Sequence, residues 1–153
     1  MQKLFLLLEN LENTITKFDK TNQKESQSSA GWHIEHSCKV IISIINVLQQ
    51  SNPETYQRRF NSNRSFVFTF SYIPRGKGKA PKVVLPEGEI SEKSLLNSIQ
   101  KTREKIAQWD NLPTNSHFKH PYLGNLNKSA SLRFLHIHTQ HHIKIINDIC
   151  NKA

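Results

Sequence analysis

Residues 132–150 read "LRFLHIHTQHHIKIINDIC", four histidines and a run of aliphatic side chains in one stretch of a chain that holds only eight histidines in all. Its apolar residues do not alternate as in a half-buried strand; they return at helical intervals. On a wheel of about 100° per residue with Leu135 at zero, Ile146 falls at about 20°, Ile149 at about 320° and Ile145 at about 280°, so the buried face centres on about 320°. His138 and His142 lie at about 300° and about 340°, in the middle of that stripe, whereas His136 and His141 fall at its margin or outside it. The stretch is therefore a helix with two of its histidines turned inward.

His138 and His142 are an i, i+4 pair, one turn apart on the same face, a spacing at which both imidazoles reach a single metal ion. A pair of core histidines satisfied by hydroxyls or water is the simpler alternative. It is harder to sustain inside an Ile and Leu stripe, because each buried neutral imidazole there needs its own polar partner. A third ligand is expected from another helix that faces the same interior. The stretch "GWHIEHS", residues 31–37, opens a segment whose apolar residues Val40, Ile44, Val47 and Leu48 define an arc reached by both His33 and His36. The wheel does not choose between them, and it turns Glu35 away.

Working outward, Leu4, Leu7, Leu8, Leu11, Ile15 and Phe18 predict a helix over residues 2 to 20, and the segment from about 32 to 50 predicts a second, ended by "SNP". Ser91 is an N-cap for a third, with Leu95, Ile99, Thr102, Ile106 and Trp109 along one stripe, and the last helix covers about 129 to 151. Between the second and third, Phe66, Phe68, Phe70 and Tyr72 alternate with smaller residues and predict an extended segment, followed by a loop punctuated by Pro and Gly. The stretch "TNSHFKHPYLGNLNKS" reads as irregular, with "HPYLGN" an ordered turn that packs Tyr122 and Leu123 rather than a second site at His117 and His120. Four long amphipathic helices without alternating strand-helix units imply an all-α four-helix bundle, a single domain over residues 1–153, with a long, partly extended connection between its second and third helices.

The chain of 153 residues carries 21 basic and 12 acidic residues, a formal charge of +9. Most of the excess sits between Pro53 and Lys82, where Arg58, Arg59, Arg64, Arg75, Lys77, Lys79 and Lys82 face Glu54 alone. Within it, "PRGKGKAPK" alternates Arg75, Lys77 and Lys79 with small residues, so cations and backbone amides would converge on an anion at the mouth of the histidine site. Cys38 and Cys150 form no CxxC pair and read as small buried residues. The start of the chain shows neither a cleavable leader nor a stretch that would span a bilayer, and a soluble, cytoplasmic protein without a membrane partner is expected.

Taken together, "GWHIEHSCKVI", "HPYLGNLN" and "HTQHHIKII", in that order, resemble the DinB-like superfamily of four-helix bundles, which overlaps the bacillithiol- and mycothiol-dependent transferases; "IPRGKGKAPKVVLP" also resembles a segment of that group. The resemblance covers residues 28 to 150 and implies a divalent metal, Zn, Ni, Fe or Mn, held by His36, His138 and His142. It thereby separates His36 from His33. It further implies transferase or hydrolase chemistry with a low-molecular-weight thiol; the basic loop adds the expectation of a small anionic substrate, and a homodimer is a further expected partner. The chain departs from the group's pattern where Ser28 replaces a Trp and Ile145 a Gln. The competing expectation is a polyanion- or nucleic-acid-binding helical protein with structural histidines; no helix-turn-helix, zinc-finger or RNP pattern accompanies it.

Overall fold

The computed structural model describes residues 1–76 and 78–152, and within them the chain is mostly helical. Five helices, α1 (Gln2–Glu12), α2 (Ala30–Gln50), α3 (Ser62–Phe70), α4 (Glu92–Ala107) and α5 (Lys128–Asn151), are joined by a two-stranded antiparallel hairpin, β1 (His117–His120) and β2 (Gly124–Asn127). The helix α2 packs against both α4 and α5, and α1 packs against the same two. Leu4, Leu8 and Leu11 of α1, Ile34, Ile41 and Ile45 of α2, Leu95 and Ile99 of α4, and Leu135 and Ile146 of α5 fill one continuous core. Burial of these side chains, each worth about 1.5–3 kcal/mol of transfer free energy, is what holds the four elements at fixed relative positions.

Local signals set where each helix starts. Ser91 and Ser94 form a reciprocal capping box at the head of α4, and Asn127 caps α5 by accepting the Ala130 N–H. Ser29 caps α2 through the Trp32 N–H, while the N–H groups of Ala30 and Gly31 donate to the carbonyls of Lys20 and Phe18. The first turn of α2 is thus tied to the preceding segment at the point where Gly31 permits contact. A Cβ on Gly31 would stand 2.9 Å from the Phe18 carbonyl oxygen and 3.0 Å from Ile90 Cγ2.

Three expectations need correction. The aromatic segment from Phe66 is helical rather than extended: α3 is capped by Asn61, which accepts the Arg64 N–H, and ends at Ser71 with φ 47° in the left-handed region. Phe66, Phe68 and Phe70 satisfy a period of two, but Phe66 and Phe70 are also an i, i+4 pair, and their rings meet at 4.9 Å. Val67 is the buried residue of α3, while Phe66 and Phe70 are 47% and 64% exposed. The first helix ends at Glu12 instead of running to residue 20; Ile15 and Phe18 still reach the core because a 3-10 turn over Ile15–Lys17 carries them there. The stretch before α5 is a hairpin, in which Leu123 is buried as expected but Tyr122 is exposed.

Substituting Gly31→Ala is expected to destabilise the chain by about 1–3 kcal/mol, because the Phe18 carbonyl is backbone and cannot swing away. Phe70→Ser is expected to change stability by less than about 0.5 kcal/mol. Chemical denaturation followed by far-UV circular dichroism measures both; equal stabilities for the two variants would contradict the packing described at the head of α2.

Candidate metal centre

Helix α2 enters the core through the sequence Trp32-His33-Ile34-Glu35-His36, and its inner side places both histidines against α5, where His138 and His142 stand one turn apart. One nitrogen from each of His36, His138 and His142 lies within 4.8 Å of the others, close enough for all three to bind one metal ion. The Nε2 atoms of His138 and His142 are 3.2 Å apart. Two nitrogens bound at about 2.0–2.1 Å to a tetrahedral ion stand about 3.3–3.4 Å apart, so the pair is spaced as an ion would require.

The three rings are held from outside the cluster to different degrees. His36 Nδ1 lies 2.9 Å from the Val84 carbonyl, to which an N–H there donates, leaving the Nε2 lone pair for the centre. The indole of Trp32 stacks on the His36 ring at 4.9 Å with an interplanar angle of 15°, fixing its plane. His142 Nδ1 meets His33 Nδ1 at 2.9 Å, and His33 Nε2 meets Ser26 Oγ at the same distance. His138 has no such support: its Nδ1 is buried without a partner among the described residues. Its ring instead rests against Phe134, at 5.4 Å between centroids.

The electrostatic state suits ligation, which needs neutral imidazole. Burial pushes the pKa of His138 and His142 well below the ordinary histidine value, and the nearby His36, together with His138 in the case of His142, pushes in the same direction. Burial also lowers His36, although its bond to the Val84 carbonyl works the other way. His33 and His141 are each lowered to about 4, first by burial and then by neighbouring histidines and basic side chains, among them Arg75. The donor set is therefore three uncharged nitrogens, with no carboxylate among them.

The remaining candidates are placed as follows. His33 is not in the triad; it stands behind His142. His136 and His141 lie outside the triad, as the wheel indicated. Arg75 does not stand free for an anion: its guanidinium bridges Glu25 at 3.0 Å and Asp148 at 2.6 Å, tying the connection between α3 and α4 to the α1–α2 connection and to α5. Lys79 is exposed, and its backbone N–H donates to the Tyr122 hydroxyl at 3.4 Å; Lys77 lies outside the described residues. His120 serves the hairpin turn, its Nδ1 accepting the N–H groups of Tyr122 and Leu123. Sequence reasoning missed Val84 and Ser26, whose roles depend on contacts with residues far along the chain or across a turn, and missed the stacking of Trp32, which an aromatic four residues before His36 on the same helix face would have signalled.

Comparison with family models, with curated proteins and with solved structures gives no match. None of the helices among the described residues is long and apolar enough to cross a membrane.

The depressed histidines make stability depend on pH with a definite sign. In the metal-free protein the folded state keeps these rings neutral, while the unfolded chain takes up a proton at each below its usual value of about 6.5. Stability is therefore fully present above about pH 7 and is lost as pH falls through 6.5 towards 4, by on the order of 1 kcal/mol or more for each of His33, His120 and His141, all lowered to about 4. Urea midpoints measured from pH 8 to pH 5 with chelator present check this; a flat profile over that range would contradict the neutral, buried state of the cluster.

Proposed function

We propose that this chain is a metal-dependent protein of DinB-like, four-helix-bundle architecture in which His36, His138 and His142 hold one divalent ion, Zn, Ni, Fe or Mn, and that it acts as a transferase or hydrolase on a small anionic substrate, with a low-molecular-weight thiol as co-substrate. The observation that carries this reading is the convergence of the three imidazole nitrogens within 4.8 Å in a buried seam. Support for a bundle comes from the packing of α2 and α1 against the same pair, α4 and α5.

Held by His36, His138 and His142, a divalent ion would supply Lewis acidity, lowering the pKa of a water or thiol beside it. The chain's own residues do the rest. Three neutral donors would add no negative charge at the centre, and a chain of formal charge +9 adds to the attraction of an anion. Trp32 and the Val84 carbonyl hold His36 in plane, and Phe134 backs His138. Cys38 is excluded as a nucleophile on this reading, because burial pushes its thiol up to about 12.

A second reading, a polyanion-binding surface, draws on exposed Phe60, which follows Arg58 and Arg59 in the chain, and on exposed Phe66 and Phe70 of α3. It gives no role to the convergence of three imidazoles on one point, and so ranks below the first.

Elemental analysis of protein purified without an affinity tag separates the two. The metal reading expects up to one divalent ion per chain, restored by dialysis against Zn, Ni, Mn or Fe, and its loss in the double variant His138→Ala/His142→Ala with the helical circular dichroism retained. A wild-type chain that takes up none of the four metals contradicts it.

A further inference from the structure

The three ligands do not exhaust the histidines of the seam, because His33 is buried beside them and bonded at both ring nitrogens. Its Nδ1 lies 2.9 Å from His142 Nδ1, and its Nε2 lies 2.9 Å from Ser26 Oγ. A contact between two imidazole nitrogens is a hydrogen bond only if one of them carries a proton, so the pair has two possible polarities. If His33 donates, His142 has its proton on Nε2, the nitrogen that stands 3.2 Å from His138 Nε2, and His142 then has no lone pair to offer the centre. If His142 donates, its Nε2 is bare and faces His138, and His33 must carry its own proton on Nε2, where Ser26 Oγ is placed to accept it.

Only the second polarity is compatible with His142 as a ligand. We infer that His33 is a positioning residue for the metal site, accepting the Nδ1–H of His142 and donating its Nε2–H to Ser26 Oγ, so that a chain Ser26–His33–His142 selects the tautomer and the orientation of one ligand. This rests on the metal reading above. The chain is anchored at its far end: the N–H of Ser28 also donates to Ser26 Oγ at 3.0 Å, the N–H of Ser26 donates to the Asn22 carbonyl at 2.9 Å, and the adjacent Glu25 is ion-paired with Arg75. A neutral histidine used in this way gives the ligand an acceptor without adding a negative charge, and so preserves the uncharged donor set. Glu or Asp in the same place would raise the basicity of His142 but reduce the net charge of the centre.

The test is Zn affinity, measured by competition with a chromophoric chelator, in the full chain and in three variants. His33→Leu fills the space without an acceptor and is expected to weaken Zn binding by about 10–100-fold. His33→Asn, whose side-chain oxygen occupies the place of Nδ1, is expected to stay within a few-fold of wild type, and His33→Gln, whose oxygen falls at the place of Nε2, to lose as much as His33→Leu. Equal affinity for wild type and His33→Leu, or equal loss in His33→Asn and His33→Leu, overturns the inference. Independently of any variant, nitrogen-15 spectra of the Zn-loaded wild type should show His142 protonated at Nδ1 and His33 unprotonated there. A proton on His33 Nδ1 overturns the role of His33 while leaving the three ligands intact, whereas a wild type that binds no Zn defeats the metal reading itself.

Discussion

Everything in the site depends on keeping three imidazoles neutral and pointed at one another inside an interface made of Ile and Leu. Such a cluster is costly to bury: each ring brings two nitrogens out of water, and each nitrogen left without a partner carries a desolvation penalty of about 1–3 kcal/mol. Outside partners reach one nitrogen of His36, from the Val84 carbonyl, and one of His142, from His33, which is itself bonded to Ser26. The facing Nε2 atoms of His138 and His142 have only each other, as a hydrogen bond if one carries a proton, and the Nδ1 of His138 has no partner among the described residues. On the proposed reading an ion shared by the three rings takes the place of that contact, and this is why an apolar seam holds them.

The surrounding fold serves that arrangement in recognisable ways. Gly31 lets the start of α2 press against the Phe18 carbonyl and Ile90, which sets the depth at which His33 and His36 enter the core. The connection between α3 and α4 contributes the Val84 carbonyl directly, and the neighbouring Leu85 carbonyl accepts from Lys39 on α2. Farther out, Arg75 bridges Glu25 and Asp148 and so ties that connection to the turn that carries Ser26. An exposed ion pair contributes little stability by itself. Its two-sided geometry nonetheless joins three segments distant in sequence around one end of the site.

Much of this was legible in the residues, and the reasons for the exceptions are physical. Helical periodicity separated His138 and His142 from His136 and His141, because a one-turn repeat over fifteen residues leaves little freedom in which side chains face inward. The same method could not separate His33 from His36: both lie on the inner arc of α2, and the difference between them is which ring meets His142 end-on and which meets it across the centre. Phe66, Phe68 and Phe70 misled because alternation over so short a span also fits a helix whose i, i+4 aromatics face solvent, and here Asn61 and Ser71 bound it as one. Arg75, read as an anion contact from local composition, is engaged by carboxylates from residues 25 and 148, partners that no local reading of the loop reveals.

The central claim is that the three imidazoles form a single metal coordination sphere, and X-ray absorption at the metal edge of the Zn-loaded chain tests it most directly. The account predicts a shell of nitrogen or oxygen scatterers at about 2.0–2.1 Å with the outer-shell pattern of three imidazole rings and no sulfur at about 2.3 Å. A sphere built from sulfur, or from oxygen atoms without the imidazole pattern, would contradict it.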